Sequence, residues 1–251
     1  MKTSVKATAK RIVESLVTQS AFAPMVRPLL RIANYASRFQ CQVRNMEMLS
    51  YDQPHRAEGV RLIRHIQAER EMILSLPEAY SIFAAVEQTA KVPGDIAEVG
   101  VYQGGSSKLI CEAKGARHLH LFDTFAGLPL RQDVDSPAFT EGRFACSLDS
   151  VRQYLGPYSG VTFHEGRFPE TAVPISNRHR FSFVHLDVDL YDSTRSCLEF
   201  FYPRMSPGGV VISHDYHLAG GVKAAFDEFF TDRPEPVMEL AGDQCMVIKI
   251  G

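Results

Sequence analysis

The chain has 251 residues, of which 45% are hydrophobic and 22% charged, the balance of a globular protein long enough to bury its own core. Lys and Arg number 27 against 29 Asp and Glu, a net charge of -2, which argues against a dedicated nucleic-acid binder and leaves small molecules or proteins as partners. Cys41, Cys111, Cys146, Cys197 and Cys245 are scattered and form no C-x-x-C pair, so neither a disulfide framework nor a thiolate zinc site is expected, and a cytoplasmic location is.

The first ninety or so residues read as helical. Val13, Leu16 and Val17 recur at helical spacing, as do Val26, Leu29, Leu30 and Ala33. Ile63, Ile66, Met72, Ile73 and Leu76 suggest one further helix, and residues 84–90 another. Lys2, Lys6, Lys10 and Arg11 precede no apolar signal-peptide core, and no run is long enough to span a bilayer, so no stable membrane insertion is expected. This basic stretch reads as a solvated helix or a dimer contact in preference to a membrane-surface helix.

The texture changes at Pro93-Gly94, which divides the chain into a helical extension, residues 1–92, and an α/β domain, residues 93–251. Strands are predicted at 96–101, 118–122, 161–164, 181–186, 210–213, 237–240 and 245–250. Helices alternate with them at about 106–113, 150–155, after Ser193 as an N-cap, and at 222–230. The polar stretch 131–143 reads as a mobile lid. Gly242-Asp243 reads as a hairpin turn. Strand–helix alternation implies parallel pairing, and the closing hairpin adds an antiparallel strand. Phe226, Phe229 and Phe230 are core, while His118 and His120, alternating on the second strand, read as structural.

Glu98-Val-Gly100-Val-Tyr102-Gln-Gly104-Gly105-Ser106 ends the first strand and opens a helix, where open α/β sheets bind ligands. The spacing is not G-x-G-x-x-G, and no Lys or Arg lies there to pair with a pyrophosphate. Glu98 suits an ammonium and a sulfonium, the charges of S-adenosylmethionine. Asp123, ending the second strand, suits ribose hydroxyls, with Thr124 beside it; Glu165 and Gly166 follow the third strand and approach an adenine. Taken alone, the glycine loop is equally a plain turn, and Asp123 equally a cap.

Asp187-Val-Asp189-Leu-Tyr191 follows the fourth strand and Ser213-His214-Asp215-Tyr216 the fifth. Neighbouring strands bring these acids together, and carboxylates in one cleft call for a cation or a shared proton. Alkylation of a hydroxyl needs a base or a metal. The plainer alternative is that Asp187 and Asp189 only cap the following helix.

Four ordered segments, residues 96–105, 123–129, 165–171 and 186–194, together resemble the macrocin O-methyltransferase family over roughly residues 70–250. The resemblance implies a class I, Rossmann-like methyltransferase fold: an open, twisted, mostly parallel seven-stranded sheet with helices on both faces. It implies S-adenosylmethionine as cofactor, usually with Mg²⁺, and methylation of a hydroxyl on a sugar or glycosylated natural product. By resemblance Asp187 and Asp215 match metal ligands and Asp189 the general base.

The chain departs from the pattern at His214, where an acid is expected. Mg²⁺ prefers oxygen ligands and imidazole suits softer ions such as Mn²⁺ or Fe²⁺. Two readings follow: a metal held by Asp187, His214 and Asp215, or a metal-free site in which His214 itself is the base. The candidate cofactor-binding residues are Glu98, Gly100, Tyr102, Gly104, Ser106, Asp123, Thr124, Glu165, Gly166 and Asp187. The candidate catalytic residues are Asp189 and His214. The helical extension would shape a small-molecule acceptor pocket, a homodimer interface, or both. The rival readings are a nucleotide-sugar transferase using Asp187-Val-Asp189 as a D-x-D site, an NAD-dependent oxidoreductase, and a non-catalytic cofactor-binding protein.

Overall fold

The computed structural model describes residues 54–251; the helices expected around residues 13–17 and 26–33, the basic segment before them and Cys41 lie outside the described residues. Helix α1 (Pro54–Glu69) starts on a proline, which suits a first helical turn, and buries Val60, Ile63 and Ile66. The single helix expected from Ile63 to Leu76 does not form. The helix ends at Glu69, and α2 (Leu76–Gln88) starts afresh beside Pro77. Proline has no N–H to give the Ile73 carbonyl, and it pushes the residue before it out of helical geometry. Residues 84–90 are the end of α2 and a following 3₁₀ turn, not a separate helix.

The remaining elements are β1 (Asp95–Val99), α3 (Gly105–Ala113), β2 (Leu119–Asp123), α4 (Leu148–Leu155), β3 (Val161–Glu165), β4 (Phe181–Leu186), α5 (Tyr191–Phe201), β5 (Met205–Ser213), α6 (Gly220–Phe230), β6 (Met238–Glu239) and β7 (Cys245–Ile248). Seven strands form one sheet in the order β3-β2-β1-β4-β5-β7-β6. The first five run parallel, and β7 is antiparallel to both β5 and β6. β5 begins at Met205, earlier than the apolar run at Val210 suggests, because Met205 pairs with Phe181 and a register shift carries the strand through Pro207-Gly208. Ser193 is not the cap of α5, which already starts at Tyr191. The Tyr191 amide donates instead to the buried carboxylate of Asp135, at 2.8 Å, from the long β2–α4 connection.

Residues alternate along each strand, so the sheet has two apolar faces. Ile96, Leu119, Leu121, Phe183 and Ile212 pack under α1, α2, α3 and α4. Ala97, Val99, Phe122, Val184, Leu186 and Val211 pack under α5 and α6. Helices α1 and α2 therefore cover the first face together with the helices that follow β1 and β2. The chain leaves β1 toward β2 and β3 on one side and returns to β4 on the other. That switch point, outside the carboxyl ends of the strands, is where open α/β sheets form a binding crevice. The connection predicted as a mobile lid carries no helix or strand. It is pinned by Asp135, which also accepts from the Gln132 amide at 2.8 Å, and by the buried ring of Phe139.

Candidate active site

Among the described residues, four of the five non-glycine residues with left-handed backbone follow the carboxyl end of a parallel strand: Tyr102 after β1, Phe125 after β2, Asp189 after β4 and Asp215 after β5. Such geometry costs energy in an L-residue and persists where the surroundings over-determine it, typically at functional sites.

The glycine loop is shaped by contacts with its own neighbours. Gly100 has φ +89°, and a Cβ there would lie 1.9 Å from the Asp187 carbonyl oxygen. Only glycine lets the ends of β1 and β4 approach this closely. Asp123 then locks the turn. Its Oδ2 accepts from the Val101 and Tyr102 amides at 2.7 and 3.0 Å, and its Oδ1 from the Phe125 amide at 2.7 Å. That leaves acceptor capacity on Oδ1, and the side chain is part exposed, so it suits one ribose hydroxyl with a hydrogen bond and not two with both oxygens free. Glu165 registers beside Asp123 on β3 and is exposed, and the Gly166 amide donates to the Asp123 carbonyl at 2.9 Å. The Thr124 hydroxyl is spent locally, donating to the Gly127 carbonyl at 2.7 Å. Tyr102 donates to Glu71 at 2.7 Å, Gly104 caps α3 and Ser106 is buried in its first turn.

Glu98, expected to meet an ammonium and a sulfonium, has both carboxylate oxygens engaged within the protein. It is fully buried beneath α3, bonded to the Ser107 hydroxyl and to His185 Nδ1 at 2.9 Å. Pleat alternation puts Glu98 on the face it shares with Ile96, the face that α3 covers.

The acids after β4 and β5 do converge. His214 Nδ1 lies 3.2 Å from Asp187 Oδ1 and 3.4 Å from Asp215 Oδ2. The sequence reading missed the third carboxylate on this ring: Glu78 Oε2, from the first turn of α2, lies 3.8 Å from His214 Nε2. Glu78 is buried; it also accepts from the Ser75 amide at 2.7 Å and the Asp243 amide at 2.7 Å. Asp243 in turn accepts from the His217 and Leu218 amides at 2.6 and 3.0 Å. Ser75-x-x-Glu78 is the spacing of a helix cap, and that local role concealed the longer-range one.

Burial opposes charge on His214, but Asp187, Asp215 and Glu78 outweigh it and raise the imidazole above its ordinary value. Burial likewise opposes ionisation of Glu78, yet bonds from His214, Ser75 and the Asp243 amide hold it down at about 2. Asp187 is lowered for the same reason, burial being outweighed by His214. Asp189 goes the other way. Burial, reinforced by the charges of Asp187 and Asp215, pushes it up to about 9. These interactions favour a charged His214 beside ionised Asp187 and Glu78, and a neutral Asp189. In that state His214 has no lone pair to serve as base or ligand. Asp187, His214 and Asp215 nonetheless offer three ligand atoms within 4.8 Å of one another. One nitrogen and two carboxylate oxygens fit a divalent ion such as Mn²⁺ better than Mg²⁺, once the imidazole proton leaves.

The family model described as Macrocin-O-methyltransferase (TylF) matches residues 75–242. The chain is 38% identical over 142 residues to the 8-demethyl-8-(2,3-dimethoxy-alpha-L-rhamnosyl)-tetracenomycin-C 4'-O-methyltransferase of Streptomyces olivaceus, covering 50% of this chain and 54% of that protein. It is 30% identical over 201 residues to the demethyldecarbamoylnovobiocin O-methyltransferase of Streptomyces niveus, covering 72% and 74%. The chain thus spans about half the length of the first relative and about three quarters of the second. Among solved structures, the O-methyltransferase NovP superposes with a TM-score of 0.67 at 23% identity, over 78% of this chain and 98% of that one.

Proposed function

Because the chain belongs to the macrocin O-methyltransferase family, we propose that it transfers the methyl group of S-adenosylmethionine to a hydroxyl on the sugar of a glycosylated small molecule. The observation that carries the reading is that the family match, residues 75–242, takes in every group of the polar cluster: Glu78, Asp187, Asp189, His214 and Asp215. The sugar acceptor is inferred from the first relative, whose name specifies a rhamnosyl-bearing substrate. Among the described residues no helix is long and apolar enough to cross a membrane.

In this proposal Asp123 accepts a hydrogen bond from the cofactor ribose, and the glycine loop lets the cofactor lie close to backbone. Glu98 holds α3 to β1 and β4 through Ser107 and His185, and so sets the loop from beneath. Glu78 and Asp243 hold the loop after β5, which keeps Asp215 and His214 in place. Asp189 is the proton acceptor for the attacking hydroxyl. Positive charge entering its surroundings favours its ionised form, and the cofactor sulfonium is one such charge. A divalent ion held by Asp187, His214 and Asp215 would supply a second, and would acidify a hydroxyl bound to it. Holding acceptor and methyl group in line supplies much of the acceleration.

The test is a calorimetric titration with S-adenosylhomocysteine, with and without EDTA, using NAD and a UDP-sugar as controls. Micromolar binding of S-adenosylhomocysteine alone supports the reading. Binding of a control nucleotide in its place would sink it and return Asp187 and Asp189 to a diphosphate-binding role.

A further inference from the structure

A second polar cluster is centred on the amino-terminal ends of β1, β2 and β4, away from the crevice. Asp95 opens β1, His120 lies in β2, His164 in β3, and His179 just precedes β4. Parallel register brings them together: Ala97 pairs with His120, Phe122 with His164 and Asp95 with Phe181. Alternation then puts Asp95, His120 and His164 on the face that α5 covers. His179 Nε2 lies 2.7 Å from Asp95 Oδ2, and His120 Nε2 lies 3.4 Å from the same oxygen. The three candidate ligand atoms are all within 4.8 Å of one another.

We propose that Asp95, His120 and His179 form a divalent-metal site for a borderline transition ion such as Zn²⁺, which braces the amino-terminal ends of β1, β2 and β4. Two imidazoles and one carboxylate make the donor set such ions take, whereas Mg²⁺ and Ca²⁺ favour oxygen alone. Ligand atoms around one tetrahedral zinc lie about 3.3 Å apart; here Asp95 lies 3.4 Å from His120 and 2.7 Å from His179, so small side-chain shifts would admit an ion. The other nitrogen of His120 is engaged by His164 at 3.1 Å, the kind of outer bond that orients a metal-binding imidazole. In the tautomer that donates this Nδ1–H, His120 turns a lone pair on Nε2 toward the Asp95 carboxylate, and a cation between the two resolves that opposition. Side-chain exposures of 30% for Asp95 and 29% for His179, against 11% for His120, leave a route from solvent. The cluster sits at the far end of β1 from Gly100, which makes the ion a brace and not a participant in methyl transfer.

The full chain carrying Asp187→Asn and Asp215→Asn removes the other cluster as a competitor. After stripping with EDTA it would be titrated with Zn²⁺ by calorimetry and with Co²⁺ by visible absorption. The proposal expects one equivalent bound, a melting temperature raised by at least about 3 °C, and at least about tenfold weaker binding on adding His179→Gln or Asp95→Asn. No binding, or binding unchanged by both substitutions, overturns it. The unsubstituted protein gives an independent reading: long-range ¹H–¹⁵N spectra should show the Nε2 signals of His120 and His179 move on Zn²⁺ addition. If those signals stay still, the cluster is held by hydrogen bonds alone and the proposal fails.

Discussion

Glu78, on a helix that precedes the sheet, and His214, at the end of β5, face each other at 3.8 Å, and the Asp243 amide donates to the same glutamate at 2.7 Å. One carboxylate thus joins α2, the β5 loop and the β6–β7 hairpin. A cap by its local spacing, Glu78 is also a buried member of the acidic cluster.

Glu78→Gln keeps the shape and removes the charge. Since Glu78 is held at about 2 in the folded chain, its ionised form stabilises the protein fully above about pH 5. That contribution fades as pH falls toward 2, because the unfolded chain takes up the proton first. The variant should lose about 3 kcal/mol at pH 7, and denaturant midpoints followed from pH 7 to 3 should show a flatter decline than the parent. Parallel curves would mean that Glu78 contributes no charge-dependent stability.

Asp189→Asn should reduce turnover by about 10²–10⁴-fold while S-adenosylhomocysteine affinity stays within a few-fold. The folded pKa of Asp189 is raised, so between about pH 4 and 9 folding keeps a proton that the unfolded chain releases, and Asp189 makes stability fall across that window. The asparagine variant should therefore lose less stability than the parent on going from pH 5 to 9. Full turnover in the variant would remove Asp189 from the role of proton acceptor.

The same elevated value governs the rate. In EDTA, kcat/KM for S-adenosylmethionine should climb with pH toward about 9, following ionisation of Asp189 in the free enzyme. With Mn²⁺ present the rising limb should move to lower pH, because positive charge beside the carboxyl favours its anion. A pH–rate profile unaffected by Mn²⁺ would count against an ion among Asp187, His214 and Asp215.

Gly100→Ala puts a methyl 1.9 Å from the Asp187 carbonyl oxygen on a backbone with φ +89°. The strand ends must part, so expression as folded protein or cofactor binding should fail; calorimetry on whatever soluble protein is obtained checks this. Gly242→Ala is milder. Its Cβ would lie 2.5 Å from Glu78 Oε1, a side-chain atom, on a backbone with φ +103°. About 1–3 kcal/mol of stability should go, and Glu78→Gln should not add fully to it, since both act on one contact.

Much of the sheet was legible because strand pattern and glycine punctuation are local. The runs beginning near Ile96 and Phe181 are largely apolar, as central strands covered on both faces must be, those near His118 and Val161 alternate apolar with polar residues, and the four became β1 to β4 within a residue or two. The acids after β4 and β5 were legible for the same reason, since parallel neighbours align their carboxyl ends. Four things needed the tertiary structure. Glu98 turned under α3 because pleat alternation relative to the crevice depends on where the helices lie. Asp135 replaced Ser193 at the start of α5, a partner far away in sequence. Glu78 reached His214 only because α2 packs over the first face. His118 and His120 read as isolated structural residues until register set His164 and His179 beside them. Residue type and spacing determine which elements form, since those interactions act within a few residues; which side chains share a charge or a proton is decided by packing, because electrostatic energy depends on distance in space and on burial.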